Sequence, residues 1–379
     1  MTHVIMYTKL NKGEKKMNDT SKWRMYGKKF VNRYLIDGLS GMALGLFSTL
    51  LIGTIIKQVG SFMPDLWIGQ FLMQLGQIAT VLTGVGIAVG VAHSLGATKL
   101  VLYSSVLNGV VGAYATKIIA GTFITESGIV FSGPGDPLGA FIAAVIGVEI
   151  GRLVAGKTKL DILLTPAVTI LSGSLVAILI GTSLANFTAL LGAFIESATE
   201  LQPFLMGIVI SVAMGIFLTL PISSAAIGVI LGLSGIAAGA ATAGCCAQMI
   251  GFAVMSYREN KINGLIAQGL GTSMLQMPNI IKNPKVWIPP ILASAITGPL
   301  ATVVFRLENV PAGSGMGTSG LVGPLLMWQT MIEQGANGTV LFVQILLLCF
   351  VLPGVLTWIF AVMLRSLTWI KEGDLQLEL

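Results

Sequence analysis

Two acidic residues and one glycine-rich loop are the chemistry-bearing features of this chain. Asp136 and Glu149 bracket an apolar run inside Phe131–Pro166, FSGPGDPLGAFIAAVIGVEIGRLVAGKTKLDILLTP. Asp136-Pro137 reads as a helix N-cap followed by an N1 proline, because the aspartate accepts from orphan N–H groups and proline has none to lose. Glu149 and Arg152 lie three residues apart and stack on one helix face. Charges on so apolar a helix are costly and mark a bundle interior or a transport pathway. A cap plus an ion pair at the membrane surface is the other reading. The two carboxylates stand about 20 Å apart along a helix. One is expected near an outer mouth and one near an inner mouth, with Arg152 keeping Glu149 ionised or acting as a gate.

The loop is Val310–Pro324, VPAGSGMGTSGLVGP, with Gly313, Ser314, Gly315, Gly317, Thr318 and Ser319 as candidate contacts. Non-helical backbone at membrane depth is tolerated only when buried in protein or lining a water-filled cavity. Bare N–H groups there form an anion-binding nest; a flexible outer loop is the alternative. The expectation is that Asp136, Glu149 and this loop face one polar cavity. Asn108, in an apolar run, and Glu126, beside one, join the candidates for a polar ligand. His93 reads first as a packing residue near a helix end and only second as a ligand.

The elements that position these groups are membrane helices. The composition is 54% hydrophobic and 10% charged, where soluble domains carry about 25% charged residues. Mean hydropathy is +0.86. Apolar runs of about 20 residues recur along the chain, each long enough to cross a hydrocarbon core of about 30 Å. Alternating strands of the kind a barrel needs are absent. The fold class expected is an all-α polytopic membrane protein with about ten transmembrane helices, near 35–56, 67–96, 100–122, 138–155, 161–184, 203–219, 222–237, 238–256, 286–305 and 339–363. The 47 glycines suit close helix packing. Three cysteines, Cys245, Cys246 and Cys349, all sit in apolar segments and imply no disulfide framework.

Of the 22 Lys and Arg residues, all but Lys57, Lys117 and Arg306 fall on one side of this layout. That asymmetry places both termini in the cytoplasm. The 185–202 stretch, with Glu196 and Glu200 and no basic residue, is then an outer loop. Residues 1–33 form a basic cytoplasmic tail, 34–370 the transmembrane domain and 371–379 a short cytoplasmic tail. An amphipathic helix at Trp23–Tyr34 is expected on anionic lipid. KGEKKM at Lys12–Met17 suggests Met17 as the native start. Trp67, Trp287 and Trp369 stand near span ends, as an aromatic belt requires. Gly264–Ile281, with two glutamines and Pro278, fits no simple span and either lies on the inner interface or re-enters. A weak internal repeat pairs Ala43–Leu50 with Ala213–Leu220, Gly86–Gly90 with Gly235–Gly239, and Asn108-Gly109 with Asn263-Gly264. Duplicated halves around a central site are typical of secondary transporters.

Walker A, GxSxG and HExxH motifs are absent, and nothing implies a cofactor, a metal or a nucleic-acid partner. The GxxxG spacings at Gly86/Gly90, Gly147/Gly151, Gly228/Gly232 and Gly235/Gly239 read as helix contacts, because no strand precedes them. The run Gly133–Leu171 together with Gly313–Gly323, GSGMGTSGLVG, resembles the type-2 EIIC-like membrane family of the bacterial phosphotransferase system, which includes PfoR-type toxin regulators. The resemblance covers roughly residues 35–370. It implies a sugar-permease-like fold, a homodimer in a bacterial plasma membrane, a small polar solute of the sugar class, and a separate EIIB-type protein as phosphate donor. In better-known EIIC permeases a Gly-Ile-Thr-Glu segment and a histidine contact the sugar. Here the nearest text is Phe123–Ser127, FITES, which comes early in the chain, and the C-terminal half has no histidine. A permease and a membrane sensor that keeps the permease fold are both compatible with this pattern.

Overall fold

The computed structural model describes residues 27–126 and 128–377. The proposed start at Met17 and most of the basic tail lie outside them. The first helix, α1, runs Gly27–Ser61. There is thus no separate amphipathic helix in the described part of Trp23–Tyr34, because residues 27–34 continue into the span. The next helices are α2 (Trp67–Val81), α3 (Thr83–Ser94), α4 (Lys99–Ala113) and α5 (Ala115–Ile119). A two-residue hairpin, β1 (Ile124–Thr125) and β2 (Gly128–Ile129), pairs Ile124 with Ile129. Then come α6 (Pro137–Val154), α7 (Asp161–Thr199), α8 (Pro203–Thr219), α9 (Ser224–Ile230) and α10 (Gly235–Met255). The remaining helices are α11 (Tyr257–Ile266), α12 (Met277–Lys282), α13 (Pro284–Val304), α14 (Pro311–Ser314), α15 (Val322–Glu333) and α16 (Gly338–Ser366).

Among the described residues six helices are long and apolar enough to cross a membrane, or seven if α2 and α3, bent by 51°, are one span. The protein is therefore a multi-pass α-helical membrane protein, with fewer full spans than the ten expected. The differences have local causes. The expected span at 222–237 is the seven-residue α9 followed by turns at Leu231 and Gly232. The φ of +61° at Gly232 and +63° at Gly235 lets the chain reverse there. The outer loop expected at 185–202 is helical through Thr199, because α7 continues unbroken for 39 residues. At 1.5 Å per residue it is about 58 Å long, nearly twice the hydrocarbon thickness, so it tilts or projects. Two shorter apolar helices, α4 and α8, complete the bundle.

Small residues set the closest crossings. α1 and α3 meet where Gly41 and Gly45 face Gly90 and Gly86; a Cβ on Gly45 would sit 2.0 Å from the Gly86 carbonyl oxygen. α8 and α10 meet in the same manner at Gly215 and Gly244. The crossings do not bear out the expected repeat: Gly86 and Gly90 of GIAVG meet α1, whereas Gly239 of GIAAG meets the Leu307 carbonyl, and Gly244, which meets α8, lies outside that match. The third match diverges: Asn108 is fully buried and Asn263 is exposed. The largest core cluster joins α1, α3, α4 and α6, with Met42, Ile87, Val91, Val101 and Val148 at its centre. α10 is the central helix of the second group, packed by α8, α13 and α16. Cys245, Cys246 and Cys349 are free thiols buried there.

Candidate functional site

Gly264–Ile281 and Val310–Pro324, the two segments that fit no simple span, meet each other. In the first, the chain widens at Ala267–Gly271, extends at Thr272 and turns again at Ser273–Gln276 before α12. In the second, α14 ends after one turn and the chain reverses through Gly317, Gly320 and Leu321, at φ +53°, +52° and +62°. Leu321 is the one of these three with a side chain, so its left-handed backbone is held against a local cost. Thr318 Oγ1 donates to the Gly269 carbonyl at 2.5 Å and lies 3.6 Å from Met249 Sδ on α10. The glycine-rich loop is accordingly buried, not a flexible outer loop: Gly313, Ser314, Gly315, Gly317, Thr318, Ser319 and Gly320 are all buried.

Neighbouring side chains hold the loop from several helices. Ser224 on α9 donates to the Gly315 carbonyl at 2.7 Å. Asn309, which the sequence reading missed, donates from Nδ2 to Thr242 Oγ1 and to the Gly323 carbonyl, and its Oδ1 accepts from the Val310 N–H. An asparagine directly before Val-Pro at the head of the loop is the signal that was available. Several loop N–H groups are spent on internal turns, with those of Ser319, Leu321 and Gly323 bonded to Met316, Thr318 and Gly317 carbonyls. The loop is thus less of an open anion nest than expected. Ser319 stands apart: it is 2% exposed and its hydroxyl has no hydrogen-bond partner. A buried polar atom left so costs about 1–3 kcal/mol, unless something fills the place.

A buried polar layer adjoins the loops. Gln248 on α10 accepts from the Trp287 indole N–H at 2.9 Å, and its Nε2 lies 3.3 Å from Ser294 Oγ. Trp287, near the start of α13 as expected, thus turns its indole N–H toward α10. Thr219 and Ser273 share a 2.8 Å hydrogen bond.

Asp136 caps α6 as expected, accepting from the Leu138 N–H at 2.9 Å. Its own N–H donates to the Ala113 carbonyl, which fixes α6 against the end of α4. Burial pushes its carboxyl above the ordinary range, against two backbone N–H donors that pull it down. At the far end of α6, Glu149 pairs with Arg152 at 3.7 Å, but Arg33 of α1 is closer, at 2.5 Å. Arg33 also reaches the Leu95 carbonyl, so α1, the end of α3 and the end of α6 are tied at one place. Arg33, expected in the basic tail, is part of α1.

The other candidates lie elsewhere. Asn108 is fully buried, donates to the Thr169 carbonyl at 2.9 Å and accepts from Ser174, so it joins α4 to α7. Glu126 is exposed at the hairpin and His93 is exposed at the end of α3. Phe123 of FITES is buried against Tyr114 and Phe131, and Ser127 lies outside the described residues. The hydrogen-bond partners of Asp136 and Glu149 and those of the loop do not overlap, so the groups expected to face one cavity belong to separate contact sets.

No curated protein matches the chain. A family model described as Phosphotransferase system, EIIC, matches residues 36–377, nearly the whole length. A multi-pass helical bundle with two broken segments meeting inside it, matched over that span, belongs to the EIIC family, the permease-type membrane component of the phosphotransferase system.

Proposed function

We propose that this protein carries a small polar solute of the sugar class inward across a bacterial plasma membrane, with the solute bound beside Thr318 and Ser319. The observation that carries this reading is the unpartnered hydroxyl of Ser319, buried where two broken segments meet. Broken helices that present polar groups inside a bundle are how transporters bind solutes near the bilayer midplane. Gly313, Ser314, Gly315 and Gly317 shape the backbone on which that hydroxyl is presented.

Asp136 marks the outer end of α6 and Glu149 the inner end. Glu149, with Arg33 and Arg152, closes the inner end as an ionic gate. Both termini are cytoplasmic and the protein works as a homodimer. The chain carries no catalytic motif, so phosphorylation of the solute requires separate EIIA- and EIIB-type proteins.

Uptake of labelled hexoses, pentoses and hexitols into proteoliposomes tests this, with and without added EIIB-type protein. Saturable uptake of one class by the wild type, and its loss in Ser319→Val, is the expected result. Absence of uptake and of binding for every class overturns the reading.

A further inference from the structure

The C-terminal segment after α16 is not a free tail. Leu375 is fully buried and Ile370 is 2% exposed. The backbone of this segment is held by side-chain amides of α11, of α12 and of the turns on either side of α12. Asn260 Nδ2 donates to the Leu375 carbonyl at 2.7 Å and its Oδ1 accepts from the Leu377 N–H at 2.8 Å, a two-point contact like that between paired strands. Asn279 donates to the Gln376 carbonyl and Asn283 to the Trp369 carbonyl. Lys285 lies over the Trp369 ring.

The same amides lead inward. Gln276 Nε2 donates both to the Leu375 carbonyl, at 3.1 Å, and to Gln268 Oε1, at 2.9 Å. Gln268 in turn donates to Ser256 Oγ and to the Gly264 carbonyl. Its neighbour in sequence is Gly269, whose carbonyl accepts from Thr318. Gln268 and Gln276 are fully buried. Buried amides in such a chain are strongly specified, because each loses its partner if its neighbour moves.

We propose that Gln276 and Gln268 are positioning residues that couple the docked C-terminal segment to the Thr318–Ser319 loop, so that the segment sets the geometry of the solute site from the inner side. The functional consequence rests on the reading of that loop as the solute site; the coupling does not.

Hydrogen exchange on the purified full chain tests the coupling without any solute, so its failure is distinct from a failure of uptake. Gln276→Met keeps the size of the side chain and removes its donors. Leu375→Glu undocks the segment, and Leu375→Met preserves its packing. In the first two, amides of 313–323 should exchange about fivefold faster, the scale of one lost hydrogen bond. Amides of 137–154 should keep the wild-type rate, and Leu375→Met should match wild type throughout. Faster exchange in 369–377 with no change in 313–323 overturns the proposal. Equal acceleration in 137–154 overturns it too, because the segment would then be a general stabiliser.

Discussion

Thr318 and Gly269 stand 49 residues apart in the chain, yet the hydroxyl of one donates to the carbonyl of the other inside the bundle. This bond joins two buried stretches that fit no simple span. It also lets α10 be packed on its Met249 side by loop in place of helix. Irregular backbone survives there because each end of it is bonded by a neighbour.

Removing that hydroxyl at constant shape, in Thr318→Val, leaves the Gly269 carbonyl without its donor. Stability should fall by about 1–3 kcal/mol, and uptake should fall with it. Thr318→Ser should restore both. Thermal unfolding in detergent and uptake in proteoliposomes measure the two effects, and a Thr318→Val protein equal to wild type in both contradicts the role assigned to the tie.

Asp136 has a raised carboxyl pKa in the fold, so its neutral form is favoured there relative to the unfolded chain. Its contribution to stability is therefore present at low pH. It is lost as pH rises from the ordinary value of 3.8 through the raised one. Asp136→Asn keeps the cap and removes the titration. The variant should be at least as stable as wild type at neutral pH and should lack this acid-range dependence. Unfolding curves from about pH 4 to pH 8 report it; a wild type that gains stability from Asp136 as pH rises has the opposite sign.

Both polar ends of Asn108 are used between α4 and α7, and its side chain fills the space that Gly147 and Gly173 leave open. Asn108→Ala should cost about 1–3 kcal/mol, because the Ser174 hydroxyl loses its acceptor and the Thr169 carbonyl loses its Asn108 donor. The folded fraction should bind solute with unchanged affinity. Weakened binding at unchanged stability would instead make Asn108 a ligand contact.

The three native cysteines are buried, so introduced thiols report topology with little background. Ser197→Cys, at the exposed end of α7, should label from outside, and Lys157→Cys, after α6, from inside. The reverse pattern inverts the orientation, in which case the Arg33–Glu149–Arg152 cluster lies at the outer end.

Class and caps were legible in the sequence because their causes are local. Hydropathy over 20 residues reports burial in lipid or protein, and Asp136-Pro137 caps a helix through bonds to its own next turn. The GxxxG spacings announced the glycine crossings of α1 with α3, since a small side chain permits close approach whatever the partner. The partners themselves came only with the tertiary structure. Arg33 reads as one more tail cation until α1 brings it to Glu149. Asn260, Gln276, Asn279 and Asn283 read as polar residues in and beside an irregular segment until the C-terminal segment lies across them. Span length misled at 222–237 and 185–202, because hydropathy cannot see a turn made by Gly232 and Gly235 or a helix that outruns the bilayer. Hydrogen bonds between residues 49 to 117 apart leave no periodic trace in sequence, and here they decide which buried polar groups are satisfied and which, like the Ser319 hydroxyl, are not.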